Sequence, residues 1–396
     1  MFRVRILIWL TLCAAPIPAQ IALQNPRDIS VVERFLNGEM ESEKLNCHLQ
    51  TYKPFLDFAF RFESGYVVRC SLEQFEGREA TIASYTRVKP VNGAPLILGD
   101  RFQIPAIPEE RRPGFNWKRF HDEVEFSGVF ASGEGEYRVD FAAIDKQERV
   151  FRKSWTVKVA PHGKESKTPF AIKPNTAAST ALPPWHGQRE GDRRDLHVAI
   201  LLDAAPVFPF ALKLRAWDRA FLLSSLASLV RQTDAASTQV TVFNLDQQRV
   251  IFRDENFRHG SFRKLVESLQ GLELGTVSYK TLQRQTGWLE MLLKLLNEQG
   301  QTLRAPDAVI FLGPVNRILE KVPREYLESC QNLGNRLFYF EYYPYVGAEF
   351  PDTIHQITSA CHGTVYRIHT AADFAEAIEK MQRKMQADSV QGSRMP

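Results

Sequence analysis

The densest run of side chains able to do chemistry is Phe338-Tyr339-Phe340-Glu341-Tyr342-Tyr343-Pro344-Tyr345. Phe338 and Phe340 fall on one face of a strand and Tyr339 on the other, so these three read as core. Glu341, Tyr342, Tyr343 and Tyr345 then emerge at the strand's end, where open α/β sheets bind ligands. Tyrosine suits recognition because it brings a large contact area with few rotatable bonds. Packing of this loop over the sheet rim is the alternative.

Other chemistry is poorly represented. His355, His362 and His369 recur at a spacing of seven, but Gly363 ends the helix between them, so a shared metal-binding face is not expected. Arg258-His259-Gly260-Ser261-Phe262 lacks the second glycine of a nucleophile elbow. No P-loop, dinucleotide fingerprint or His-Glu-x-x-His segment occurs. With no nucleophile–base pair legible, the expectation is a protein without catalytic residues and without a cofactor.

The chain has 396 residues, too many for one ordinary domain, with 50 basic and 46 acidic side chains and a net charge of +4. Charge this balanced gives no electrostatic footprint for nucleic acid, so no nucleic-acid partner is expected. Met1-Phe2-Arg3-Val4-Arg5 followed by the apolar run Ile6–Ala15 and Pro16-Ile17-Pro18-Ala19 reads as a signal peptide over 1–19. A helix of about ten apolar residues covers only half the hydrocarbon thickness, so no integral membrane span is expected. Export, to a periplasm or beyond, leaves Cys47, Cys70, Cys330 and Cys361 in an oxidising compartment. Sequence permits three pairings, of which Cys47–Cys70 with Cys330–Cys361 is the most economical; four buried thiols are the alternative.

These groups need elements to hold them. After an N-terminal segment over 20–44, residues 45–160 carry short strand patterns: Leu56–Phe62, Tyr66–Cys70, Val124–Phe130, Tyr137–Phe141 and Ser154–Val159. They suggest an all-β, immunoglobulin-like sandwich, with Pro105–Pro113 as a surface loop. Residues 161–195 are rich in Pro, Lys, Ser and Thr and read as an extended linker. From 196 to 385 buried strands (Val198–Leu202, Gln239–Phe243, Arg249–Phe252, Ala308–Leu312, Leu337–Phe340, Thr364–Ile368) alternate with amphipathic helices. That alternation predicts a doubly wound, mainly parallel α/β sheet, and residues 386–396 read as a disordered tail. Thr370-Ala371-Ala372-Asp373 is a capping box for the last helix.

The order strand, Asp-ended loop, helix, hairpin, helix, Gly-Thr loop, helix, strand resembles the von Willebrand factor A domain over roughly 196–385. The closing stretch Ile354–Ile368 looks like that family's last helix–Gly–strand unit, and the whole layout is similar to exported A-domain-related proteins of bacteria. The resemblance implies a metal-ion-dependent adhesion site in which Asp-x-Ser-x-Ser, a middle-loop Thr and a later Asp hold Mg²⁺. At the matching positions stand Asp203, Ala205, Val207, Thr276 and Pro314. Two oxygen-bearing side chains of five remain, poor support for an ion that needs near-ideal geometry. Asp246 and Asp254 could donate instead, but neither lies on the family's loops.

The expectation is therefore an exported, non-catalytic binding or scaffolding protein of the cell envelope with a metal-free A-like domain. Its partner would be a protein of the envelope or extracellular space, met by Glu341 and the Tyr342–Tyr345 loop. Metal-dependent adhesion through a variant site, and an enzyme of unrecognised mechanism, are the alternatives.

Overall fold

The computed structural model describes residues 20–39, 42–106, 122–180, 194–208, 211, 214–233, 235–270, 272, 274, 286–300, 305–316, 318, 321–323, 336–343 and 351–392. The loop read at Pro105–Pro113 and the leader over 1–19 lie largely or wholly outside them, as do Thr276, Cys330 and Tyr345. Two compact units form, and the chain crosses between them more than once. The first holds residues up to Pro54, Glu63–Val159 and Pro174–Ala181; the second holds Phe55–Phe62, Ala160–Lys173 and Leu182 onward.

The first unit is built from antiparallel strands. One sheet has the order β1-β5-β4-β7-β8, from Ile21–Ala22, Leu96–Ile104, Ala80–Pro90, Gly135–Asp145 and Val150–Val159. The other has the order β2-β3-β6-β9, from Cys47–Leu56, Phe62–Ser71, Glu123–Ser132 and Ala177–Ser179. Inward residues of both sheets, among them Tyr66, Val68, Phe126, Ile82 and Phe141, share one core. Every second residue is buried along β4, as a half-covered sheet requires. Cys47 and Cys70 are disulfide-bonded across the neighbouring strands β2 and β3. Cys361 is also disulfide-bonded, its expected partner Cys330 lying outside the described residues.

Three segments differ from the sequence reading. Residues 20–44 contain β1 and helix α1, Pro26–Asn37, which Asn25 caps at one end and left-handed Gly38 at the other. Within Leu56–Phe62, read as strand throughout, residues 57–61 are a turn between β2 and β3, because the Asp57 carboxylate accepts from Ala59 N and Arg61 N and folds the backbone back. The stretch read as a linker forms a short 3-10 turn, Gly163–Lys167, and β9, which pairs with β6 through Ala177, Ala178 and Ser179. Small residues there let the backbone close onto a sheet edge without needing a hydrophobic pattern.

The second unit carries one sheet in the order β12-β11-β10-β13-β14-β15, from Arg249–Asp254, Ala235–Asn244, Arg194–Asp203, Ala308–Pro314, Leu337–Tyr342 and Thr364–Ile368. All pairs are parallel except β11–β12, an antiparallel hairpin at the edge. Val198, Ile200 and Leu202 of β10 face one core with helices α2 (Ala216–Thr233), α3 (His259–Gln270) and α6 (Ala371–Gly392). Ala199 and Leu201 face the other with α4 (Gly287–Gly300) and α5 (Thr353–Ala360). Helices thus cover both faces, as the continuous apolar strands demand. Thr370 and Asp373 cap α6 reciprocally, as read. Past residue 385, where a disordered tail was expected, α6 continues to Gly392, since nothing from Gln386 to Gln391 breaks a helix. Among the described residues no helix is long and apolar enough to cross a membrane.

Candidate functional site

In the second unit, the parallel strands end at one edge, where β10, β11, β13 and β14 deliver Asp203, Asn244, Pro314 and Glu341. Alternation decides what each one meets. Asp203 follows Ala199 and Leu201 onto the face covered by α4 and α5, and Tyr339 and Glu341 join it from β14. The loop after β10 is fixed by backbone: Ala204 N donates to Phe243 O, and the Asn244 amide donates to Ala204 O. Val207 N and Arg215 N both donate to Asp218, which sits buried in the first turn of α2. Val207 is thereby turned into the opposite core, away from the edge.

Asp203 is 2% exposed, and among the described residues neither carboxylate oxygen has a hydrogen-bond partner. It lines a small cavity with Ala205, Asn244, Asp246 and Asn316. Gly313 permits the close approach of β13, because a Cβ there would lie 3.0 Å from that of Asp203. Burial, and then the carboxylates of Asp246 and Asp352, hold the Asp203 carboxyl well above the ordinary range. A carboxyl group so placed is favoured in its neutral form.

Asp352 stands one residue before α5 and caps it, accepting from His355 N at 2.8 Å. Its other oxygen accepts from Asn316 N and from the Tyr339 hydroxyl, each at 2.9 Å. Burial pushes Asp352 up to about 6 against the pull of those donors. One position further along the edge, Glu341 is fully buried and accepts from His355 Nδ1 at 2.9 Å and from the Tyr343 hydroxyl at 3.4 Å. Burial, and then the Arg367 guanidinium, lower the His355 pKa; a neutral ring with its proton on Nδ1 is the tautomer that suits the Glu341 carboxylate beside it. The pair fastens α5 to β14.

Among the described residues, the edge offers a divalent cation few side-chain oxygens. Ala205, Val207 and Pro314 supply no side-chain oxygen. Asn316 Oδ1 is committed to Ile318 N, so its amide nitrogen, which has no partner, is the atom left over and would repel a cation. The oxygens of Asp352 are already taken up by three donors. Among the described residues no group of three or more His, Cys, Asp and Glu side chains could hold a metal. Asp246 does reach the Asp203 cavity, whereas Asp254 pairs with Val240, toward the other end of β11.

Glu341, Tyr342 and Tyr343 are placed differently from their reading as a contact surface, and Tyr345 lies outside the described residues. Tyr342 is buried, stacked on Phe221 with ring centroids 4.3 Å apart, because it alternates onto the same face as Phe338 and Phe340. Tyr343 is buried beside His369, and Glu341 is enclosed. His362, at the end of α5, has a left-handed backbone, and its N–H donates to Ser359 O. Exposed aromatics occur instead beside the loop after β10: Phe208, with the Arg215 guanidinium 5.8 Å over its ring, and Trp217, 49% exposed in the first turn of α2. Sequence reasoning missed Asn316 and Asp352, although Asp352-Thr353-Ile354-His355 carries the signature of a helix cap.

The second unit is thus a doubly wound α/β structure with an enclosed acidic edge, following an all-β unit. No protein-family model matches the chain, and no curated protein matches it. Among solved structures it is similar to a von Willebrand factor type A protein from Catenulispora acidiphila, at 12% identity and a TM-score of 0.31, covering 64% of this chain and 47% of that one. It is also similar to a β-glucuronidase from Bacteroides uniformis, at 10% identity and a TM-score of 0.20, covering 77% and 36%. A glycosyl hydrolase family 2 member from Bacteroides cellulosilyticus stands at 13% and 0.19, covering 80% and 38%. The chain therefore spans about half the length of the first of these and little over a third of the others.

Proposed function

We propose that the chain is an exported, non-catalytic binding or scaffolding protein, whose second unit is a von Willebrand factor A-like domain working without a metal. The strand order, with its antiparallel edge hairpin, supports the A-like reading, and two antiparallel sheets around one core support an immunoglobulin-like first unit. The observation that carries the metal-free reading is Asp203: the acidic position the family uses for its ion is here sealed beside an amide donor. A cation held there would face an N–H group where it needs an oxygen.

Recognition then falls to the rim beside this edge. Trp217 and Arg215 are residue types enriched where protein partners bind, and both are exposed, Arg215 over the ring of Phe208. The partner class is a protein of the cell envelope or extracellular space. A photo-crosslinking residue at position 217 of the full chain, activated in intact cells, is expected to give a protein adduct whose yield is the same with and without EDTA. An adduct lost on chelation would contradict metal independence, and no adduct would contradict the surface.

A further inference from the structure

The turn that replaced an expected strand has a second property. Residues Phe55–Phe62 belong to the second unit, far from it in sequence. Phe60 is fully buried in that unit's core, and Phe58 packs against the same cluster. The Phe58 ring lies edge-on to Phe221 of α2 at 4.8 Å and to Tyr342 of β14 at 5.2 Å, and 5.7 Å from Phe374 of α6. Phe60 stacks on Phe374 at 5.8 Å. The backbone is held too: Ala171 N donates to Phe60 O at 2.7 Å, and the Arg231 guanidinium donates to Ala59 O at 3.4 Å.

The turn is also braced within itself. Asp57 accepts from Ala59 N and Arg61 N, and pairs with the Arg61 side chain at 2.7 Å, both charges being buried. Phe60 takes a left-handed backbone, φ 58°, which a phenylalanine adopts only where its surroundings over-determine it. A rigid turn presenting two phenylalanines, with backbone carbonyls received at defined donors, is built like a ligand in a recognition groove.

We propose that the cleft between α2, the end of β14 and the start of α6 is a docking site for an aromatic turn. This chain fills it with its own Asp57-Phe58-Ala59-Phe60-Arg61, and the second unit is incomplete without that segment. The ligand class is a tight turn with a Phe-x-Phe spacing braced by an Asp–Arg pair. Residues 196–385 alone would therefore expose the aromatic faces of Phe221, Tyr342 and Phe374.

The test uses the full chain carrying Phe58→Ala and Phe60→Ala, read by hydrogen–deuterium exchange. Exchange in α2, β14 and α6 is expected to accelerate at least about tenfold while β4 and β7 are unchanged, since loss of two buried rings acts on the unit that holds them. A synthetic peptide of residues 52–66 added in trans should restore protection, and the same peptide with both phenylalanines changed to alanine should not. Unchanged exchange, equal acceleration in both units, or a peptide that restores nothing would overturn the proposal. Should the double variant fail to fold, Phe58→Leu alone is expected to show the same selective acceleration at smaller size, and its absence counts against the site.

Discussion

Replacing Tyr342 by alanine is expected to lower stability by about 3–5 kcal/mol, the cost of emptying a large aromatic site in a packed core. Its ring is stacked on Phe221, meets Phe58 edge-on and lies over Trp217, so no neighbour can collapse into the space without breaking another contact. Urea denaturation of the full chain should show a lower midpoint at an unchanged slope. An exposed contact residue would behave differently, shifting stability by no more than about 0.5 kcal/mol. A variant that stable would return Tyr342 to the surface role first read from its sequence, and would contradict the burial described above.

Asp203→Asn is expected to raise stability near neutral pH by about 1–3 kcal/mol, because it removes a buried carboxylate without a donor and supplies an N–H in its place. The pH dependence gives the sign. The folded-state pKa of Asp203 is raised above its ordinary value of 3.8, so the folded chain binds more protons than the unfolded chain above that value. Its contribution is most favourable below the unfolded pKa and is lost as pH rises toward the folded pKa. Asp352, raised to about 6, acts in the same direction, while His355, lowered from 6.5, acts in the opposite one. Subtracting the Asp203→Asn profile from that of the parent isolates the Asp203 part. The difference should be small at pH 4 and larger at pH 8. A difference that stays flat with pH, or a variant less stable at pH 8, would show that the carboxylate has a stabilising partner.

Much of the second unit was legible in the sequence because its strands are buried on both faces and its helices carry unbroken apolar stripes. Leu292, Leu295 and Leu296 of α4, for example, repeat at helical spacing and all face one core. The edge residues were harder. Alternation placed Phe338, Tyr339 and Phe340 well, but the same alternation carried one and two residues further puts Glu341 and Tyr342 inside as well. What covers them comes from sequence-distant chain: Phe58 for Tyr342, and His355 with Arg367 for Glu341. A pattern read along one strand cannot see a cover that arrives from elsewhere. The same limit hid the turn at Asp57–Arg61, whose hydrophobic residues look like a strand and pack on Phe221, Tyr342 and Phe374, far along the chain in the same unit.

Ala205, Val207 and Pro314, at the positions where the resemblance implies oxygen donors, carry no side-chain oxygen. Beside them the structure places Asp203 enclosed, Asn316 offering a nitrogen, and Asp352 capping α5. Calorimetric titration of the full chain with Mg²⁺ and with Mn²⁺ at neutral pH tests this account most directly. It predicts no binding heat and no thermal shift from either ion. A saturable one-to-one heat that vanishes in Asp203→Asn would contradict it.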